Sequence, residues 1–413
     1  MDNICKGLRI GTALVTLVSG AALAEPPSKA ILEGFITRGD VDKSIGEREG
    51  YDKPGKEDKN KPTDWAKYVD GVVIQAEWAT LEPEDGVYDF QLIEDALNDI
   101  KDYNEANGVN LGAKLRVFAG QYSPDHILDN PDIGSTYVAY AEVGKGRDGN
   151  LPHFWKDAFL DKYKALHQAL AEEFDAKPES DEDHVRNEIL REVSITACMM
   201  KSADMHRAEN GDNYVDRNDG LTNIGVLMSA GLTFEEDFSC QKKQINIVAN
   251  AWENTWVSVA RAHFNDYSNH AGIAPPEGEK LTEDWPLAKD KMRKIVNTCR
   301  KNDNCIIGNN SLEHKETKDN NAAFFDDTNA IYYVAQNYLN EGKKKAPVYF
   351  QTVVKVQSDE NDNETKLHRV IESAMEASDV SMIELPTLKA LKQYKDGYLS
   401  GNKMQTVRSE LKK

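Results

Sequence analysis

Eight short apolar, β-branched runs recur along this chain, and stretches with helical spacing fall between them. The runs are Ala30–Ile36, Gly71–Ala76, Ala113–Ala119, Glu192–Ala197, Trp256–Ala262, Cys305–Gly308, Val348–Val354 and Val380–Leu385. Helical spacing marks Gln91–Asn107, Phe154–Phe174, Phe234–Asn254, Ala288–Arg300, Asn329–Glu341 and Leu367–Ala377, and residues 61–69 read as a short first helix. Strands that alternate with helices pair in parallel, because a parallel neighbour needs a long crossover. Eight such units predict an α/β fold, a single TIM-type (β/α)8 barrel with long loops after its strands. A doubly wound open sheet is the alternative. Thr387 to Lys413 keeps Lys, Gln and Leu in helical order and predicts a terminal helix.

Four long polar stretches, Gly39–Thr63, Asn130–Asn150, Lys201–Asn223 and Asn265–Thr282, each follow a strand run. In a barrel such loops rise over the C-terminal ends of the strands, where the chemistry sits. Tolerated surface insertion is the plainer reading of any one of them.

The first 24 residues stand apart. Lys6 and Arg9 precede an apolar, small-residue run from Ile10 to Ala24, which ends in Ala22-Leu23-Ala24. That order predicts a secretory signal peptide over residues 1–24, a mature start near Glu25 and one domain over 25–413. No other stretch approaches the length and apolarity of a membrane span. The chain carries a net charge of −20, and loss of the leader makes it more negative by about one. Such a surface repels nucleic acid and anionic lipid, so neither is an expected partner. Cys5 leaves with the leader. The remaining Cys198, Cys240, Cys299 and Cys305 form an even set in an exported chain, which predicts disulfides. Cys299 and Cys305 flank a polar turn and can close a small loop, leaving Cys198 with Cys240. Buried free thiols are the alternative.

Cofactor signatures are weak. Gly50 to Lys56 has the spacing of a phosphate loop, but Glu57 stands where Ser or Thr must meet a metal. Asp359, Asn361 and Asn363 alternate like a calcium loop, but Glu364 occupies the position of the essential glycine. Neither a cofactor nor a metal is expected.

The stretch from Trp78 to Phe90, WATLEPEDGVYDF, lies where the second strand hands over to a helix. It resembles the W-x-x-L-E-P-x-x-G-x-Y-D-F/W pattern of glycoside hydrolases of the large (β/α)8 clan. Lys114 to Gly120, with Pro124, is similar to their third strand, and Pro152-x-Phe154-Trp155 to the approach to their fourth. The resemblance spans Gly71 to Ala197. It implies a barrel, carbohydrate as the substrate, an acid after strand four and a nucleophile at the end of strand seven. On that footing Trp78 and Trp155 offer flat faces for sugar rings.

The catalytic pattern departs from the clan. After strand four the chain reads Thr196-Ala-Cys-Met-Met-Lys-Ser-Ala-Asp204, without the usual glutamate, and strand seven offers Gln351. Asp204 is the nearest acid. Glu384 closes strand eight inside an apolar run, where an ionisable group needs a purpose. Asp204 as acid with Glu384 as partner is the favoured pair, followed by Glu77 and Glu313. For Glu384 the competing reading is an ion pair with Arg116 or Lys114 in the barrel mouth. Arg116, His263, Asn265 and Asn310 stand at strand ends and suit hydroxyl binding. The expected function is an exported glycoside hydrolase acting on a polysaccharide or glycan. The alternative is a catalytically silent barrel that binds carbohydrate. A two-lobed exported binding protein fits eight βα units poorly.

Overall fold

The computed structural model describes residues 27–37, 65–138, 149–175, 181–198, 223–260, 285–312, 348–352, 380–385, 401–412 and most of 367–375. Its strands are β1 (Gly34–Thr37), β2 (Gly71–Glu77), β3 (Gly112–Phe118), β4 (Ser135–Val138), β5 (Gly149–Pro152), β6 (Leu190–Ser194), β7 (Trp256–Ala260), β8 (Cys305–Leu312), β9 (Val348–Thr352) and β10 (Val380–Glu384). Eight of them close into a barrel in the order β1, β2, β3, β6, β7, β8, β9, β10, and β10 returns to β1. Every neighbouring pair in the ring is parallel. All eight predicted runs supply a strand of the ring, so the fold is a TIM-type (β/α)8 barrel. The two strands outside it, β4 and β5, pair antiparallel as a hairpin beyond β3.

The described helices are α1 (Trp78–Leu81), α2 (Gln91–Asn107), α3 (Asp125–Leu128), α4 (Asp157–Phe174), α5 (Asp181–Ile189), α6 (Asn223–Ser229), α7 (Phe234–Ala251), α8 (Trp285–Arg300) and α9 (Asn402–Glu410). The expected first helix is a 3-10 turn, Trp65–Tyr68. Helix α2 buries Ile93, Ala96, Leu97 and Ile100, the positions its spacing predicts, and stops at Gly108 in the left-handed conformation with φ 62°. Glycine adopts that angle without the side-chain clash that penalises other residues. Helix α7 starts with a capping box, in which Thr233 and Glu236 exchange side-chain-to-backbone bonds.

The strands alternate. One set of side chains, including Phe35, Val72, Ile74, Leu115, Val193, Val257 and Ile383, joins the helices in the main core. The opposite set faces into the ring, where Leu32, Ile36, Val73, Ile306, Tyr349 and Met382 make a small apolar cluster. The inner space is shaped by Gly308. A Cβ there would lie 1.9 Å from the Tyr349 ring, so the aromatic ring can occupy that side only because residue 308 has no side chain. At the foot of the barrel Asp70 bonds Arg408 and Lys412 of the C-terminal segment, at 2.7 and 2.8 Å, and accepts from the Phe35 amide at 3.1 Å.

Both expected disulfides are present, Cys198–Cys240 and Cys299–Cys305. The first ties the end of the β6 segment to α7. Among the described residues no helix is long and apolar enough to cross a membrane.

Candidate active site

Lys114 and Arg116 lie two apart on β3, so both face the same side of the sheet. That side is the barrel interior. Strand β10 is not a neighbour of β3 in the ring, yet Arg116 Nη2 donates to Glu384 Oε2 at 2.7 Å. Such a contact is possible only across the inside. Lys114 Nζ lies 2.7 Å from Glu192 Oε1 on β6 and 3.7 Å from Glu384 Oε2. The four groups carry two positive and two negative charges in full burial, the arrangement that keeps the cost of desolvation tolerable. Burial pulls the Lys114 ammonium below its ordinary range, and the two glutamates oppose that pull. Its Nζ also sits 3.6 Å from the centre of the Tyr349 ring, a cation–π contact over the aromatic ring that Gly308 admits.

Toward the strand ends neutral polar groups join Arg116 and Glu384 in the lining. Gln75, Arg116, Ser194 and Ser258 share one register level. Gln351 sits opposite Glu384 in the pairing of β9 with β10, and its Oε1 accepts from Arg116 Nη2 at 3.0 Å. Arg116 therefore bridges the amide of strand seven and the carboxylate of strand eight. Two cations stand beside the Glu384 carboxylate. In that form it can accept a proton, attack an electron-poor carbon or orient Arg116. It is ill suited to giving a proton away.

The other expected site residues fall out as follows. Trp78 lies in the core. Its side chain is wholly buried, its Nε1 donates to Glu82 Oε2 at 2.7 Å, and its rings meet Phe159 and Tyr163 of α4 at 5.6 and 5.7 Å. It packs the barrel against α4 rather than facing a cleft. The residue after a strand end can turn to either side, and the Glu82 carboxylate one helical turn on captures the indole N–H. Trp155 follows β5 and is also buried, stacked on His153 at 4.6 Å. Asn310 belongs to β8, but its side chain lies outside the described residues, as do Asp204, His263, Asn265 and Glu313. Glu77 ends β2 as expected.

Sequence reasoning missed Glu192, the partner of Lys114. An alternating strand that carries Glu between Leu190 and Val193 is its only signal. One further cluster has metal-ligating chemistry: Glu82, Asp85 and His126 bring ligand atoms within 4.8 Å of one another. Glu82 is already committed to Trp78 and Gly86, and both Asp85 oxygens are taken by Lys162 at 2.6 and 2.8 Å. The ammonium there does the work a metal would do.

No protein-family profile matches the chain, and no curated protein matches it. Among solved structures, the intracellular xylanase TsXylA from Thermoanaerobacterium saccharolyticum is 12% identical, with 89% of this chain and 90% of that one covered at a TM-score of 0.42. A beta-glucosidase from Thermotoga maritima is 10% identical, with coverage of 87% and 89% and a TM-score of 0.44. Endo-glycoceramidase II from Rhodococcus sp. is 13% identical, with coverage of 86% and 73% and a TM-score of 0.38. Likeness at this level carries no inference about chemistry, and the fold rests on the strand pairing itself.

Proposed function

We propose that this chain is an exported glycoside hydrolase acting on a polysaccharide or other glycan. Glu384 serves as the charged carboxylate and Asp204 as the proton donor. The reading is supported chiefly by Glu384, a carboxylate at the C-terminal end of a barrel strand, held by Arg116 and Lys114. Glycoside cleavage needs two carboxyl groups in opposite protonation states. Asp204 gives its proton to the leaving oxygen. Glu384 either attacks the anomeric carbon or takes a proton from the attacking water. A gap of roughly 6.5–9.5 Å between the carboxyls leaves room for that water, and a gap near 5 Å suits direct attack. Export rests on the leader-like residues 1–24 and agrees with two disulfides, which persist in oxidising compartments. The mature chain starts near Glu25, which N-terminal sequencing of exported material checks.

The test is turnover on a panel of polysaccharides by the wild type, Asp204→Asn and Glu384→Gln. Each variant should lose roughly 10²–10⁴-fold. If both keep wild-type rates, the assignment is wrong and Glu77 and Glu313 are the next to change.

A second reading has its own observation. Glu384 is fully covered and engaged by two cations, which suits a silent barrel that binds carbohydrate and uses Glu384 to fix Arg116. That reading expects oligosaccharide binding with no turnover of any polysaccharide.

A further inference from the structure

The turn after β3 holds polar groups that the barrel does not use. Gln121 and Ser123 are each only 4% exposed, and Trp155 is 5% exposed. Both amide atoms of Gln121, the Ser123 hydroxyl and the Trp155 indole nitrogen are cut off from solvent without a hydrogen-bond partner among the described residues. Buried polar atoms are nearly always partnered, so several orphans in neighbouring segments point to something that the fold alone does not supply. The segments do adjoin. The 3-10 turn Gly120–Tyr122 packs against β5, and Trp155 follows β5 by three residues.

The surroundings select the ligand. Phe118 to Pro124 and Gly149 to Trp155 contain no Asp, Glu, Lys or Arg. His153, which stacks on Trp155, is held below the usual imidazole range by burial and then by Lys156, so it is neutral near pH 7. Aromatic rings frame the segment, with Phe118 and Tyr122 at 5.6 Å. Asp125 and Lys156, which border the two segments, are exposed and of opposite sign, so the site offers a charged ligand no net counter-charge. A primary amide presents one acceptor beside one N–H donor in a plane, and two adjacent hydroxyls on a ring satisfy both at once. A serine hydroxyl and an indole N–H extend the same pattern.

We propose that Gln121, Ser123 and Trp155 form a subsite for one ring of a neutral, polyhydroxylated ligand, beside the mouth of the barrel. The proposal rests on the carbohydrate reading above and adds a place and a charge preference to it. An uncharged sugar ring binds there, with Gln121 clasping a pair of vicinal hydroxyls, and a uronic acid ring is excluded.

The experiment uses two readouts on the whole mature chain. The first is thermal unfolding of the free protein. An orphaned amide is a burden to the fold, so Gln121→Met should raise Tm by about 1–3 °C. The second is calorimetric titration with cellohexaose, xylohexaose, mannohexaose and, as the charged control, trigalacturonate. The wild type should bind a neutral oligosaccharide and not the control. Gln121→Met and Ser123→Ala should each weaken that binding about tenfold, the size of one or two neutral hydrogen bonds. A fall in Tm for Gln121→Met would show that ordered water or the protein itself satisfies the amide, and would overturn the subsite. A raised Tm with unchanged affinity overturns it too, while leaving the hydrolase reading to its own Glu384→Gln test. If the wild type binds only trigalacturonate, or none of the four, the neutral-ring assignment is wrong. The carbohydrate reading falls with it only if no polysaccharide is turned over.

Discussion

Arg116 and Glu384 meet at 2.7 Å in the middle of the barrel although 268 residues separate them in the chain. Removing one partner of a buried ion pair leaves the other uncompensated, at a cost of roughly 3–5 kcal/mol. Arg116→Met should therefore destabilise the protein by about that much in urea unfolding, with Lys114 softening the loss. Adding Glu384→Gln to Arg116→Met should recover part of it, because the stranded charge is gone. If the two single substitutions prove additive in the double variant, the pair is not coupled.

Trp78 separates a packing role from a binding role. Trp78→Phe keeps most of the ring but removes the donor to Glu82, and should cost about 1–3 kcal/mol. Trp78→Ala, which empties the contact with Phe159 and Tyr163, should cost about 3–5 kcal/mol. Affinity of the folded Trp78→Phe protein for oligosaccharides should equal that of the wild type. A weakened affinity with unchanged stability would return Trp78 to the cleft.

Acid should act on this fold through His167. The imidazole is wholly buried and burial pushes it down to about 3 from 6.5. Its Nδ1 accepts from Trp252 Nε1 at 3.1 Å, which a neutral ring can do and a protonated one cannot. The folded value lies below the unfolded one, so the fold favours the neutral ring. Its contribution is complete above about pH 6.5 and is lost as pH falls toward 3, amounting to about 2 kcal/mol at pH 5. His167→Gln keeps an acceptor for Trp252 and has no titration, so its stability should be flatter between pH 6.5 and 4. Nuclear magnetic resonance of the ring should show no protonation above pH 4.

The two disulfides should differ in worth. Their sequence separations are 42 for Cys198–Cys240 and 6 for Cys299–Cys305. Chain entropy then gives about 4 kcal/mol for the long loop and about 2 kcal/mol for the short one. Replacing each pair with alanines and measuring urea unfolding should rank them in that order. Thiol labelling of denatured, unreduced mature protein should find no reactive cysteine.

The ring of strands was legible because parallel barrel strands are apolar on the helix side and short, and the runs at 71–76, 348–354 and 380–385 carry both marks. The hairpin β4–β5 was hidden, since Ser135–Val138 and Gly149–Pro152 lie at the edge of a polar stretch and bury few side chains. Helix α5, DEDHVRNEI, has only Val185 and Ile189 as apolar residues, so periodicity had almost nothing to register. At the site, a glutamate inside an apolar strand signalled Glu384 and its cations together. Its neighbours were harder. Trp78 sits at a strand end, where composition does not say which way a side chain turns, and Gln121 and Ser123 look like solvated turn residues until their burial is known.

The barrel closes through β1 and β10, with Gly34 beside Met382 and Ile36 beside Glu384. Seen in the time of synthesis, this seam joins nearly the first part of the fold to be made with nearly the last. At about 5–20 residues per second, tens of seconds pass before β1 can meet its second neighbour. Until then its backbone groups on that side are an open edge, the feature that recruits other chains. The carboxylate at the seam, Glu384, is also the group that completes the interior charge balance with Arg116 and Lys114. A nascent chain that ends before residue 384 is thus both unclosed and left with one uncompensated cation inside, since Glu192 answers only Lys114. Only the last strand of the ring both covers the open edge of β1 and supplies the missing carboxylate.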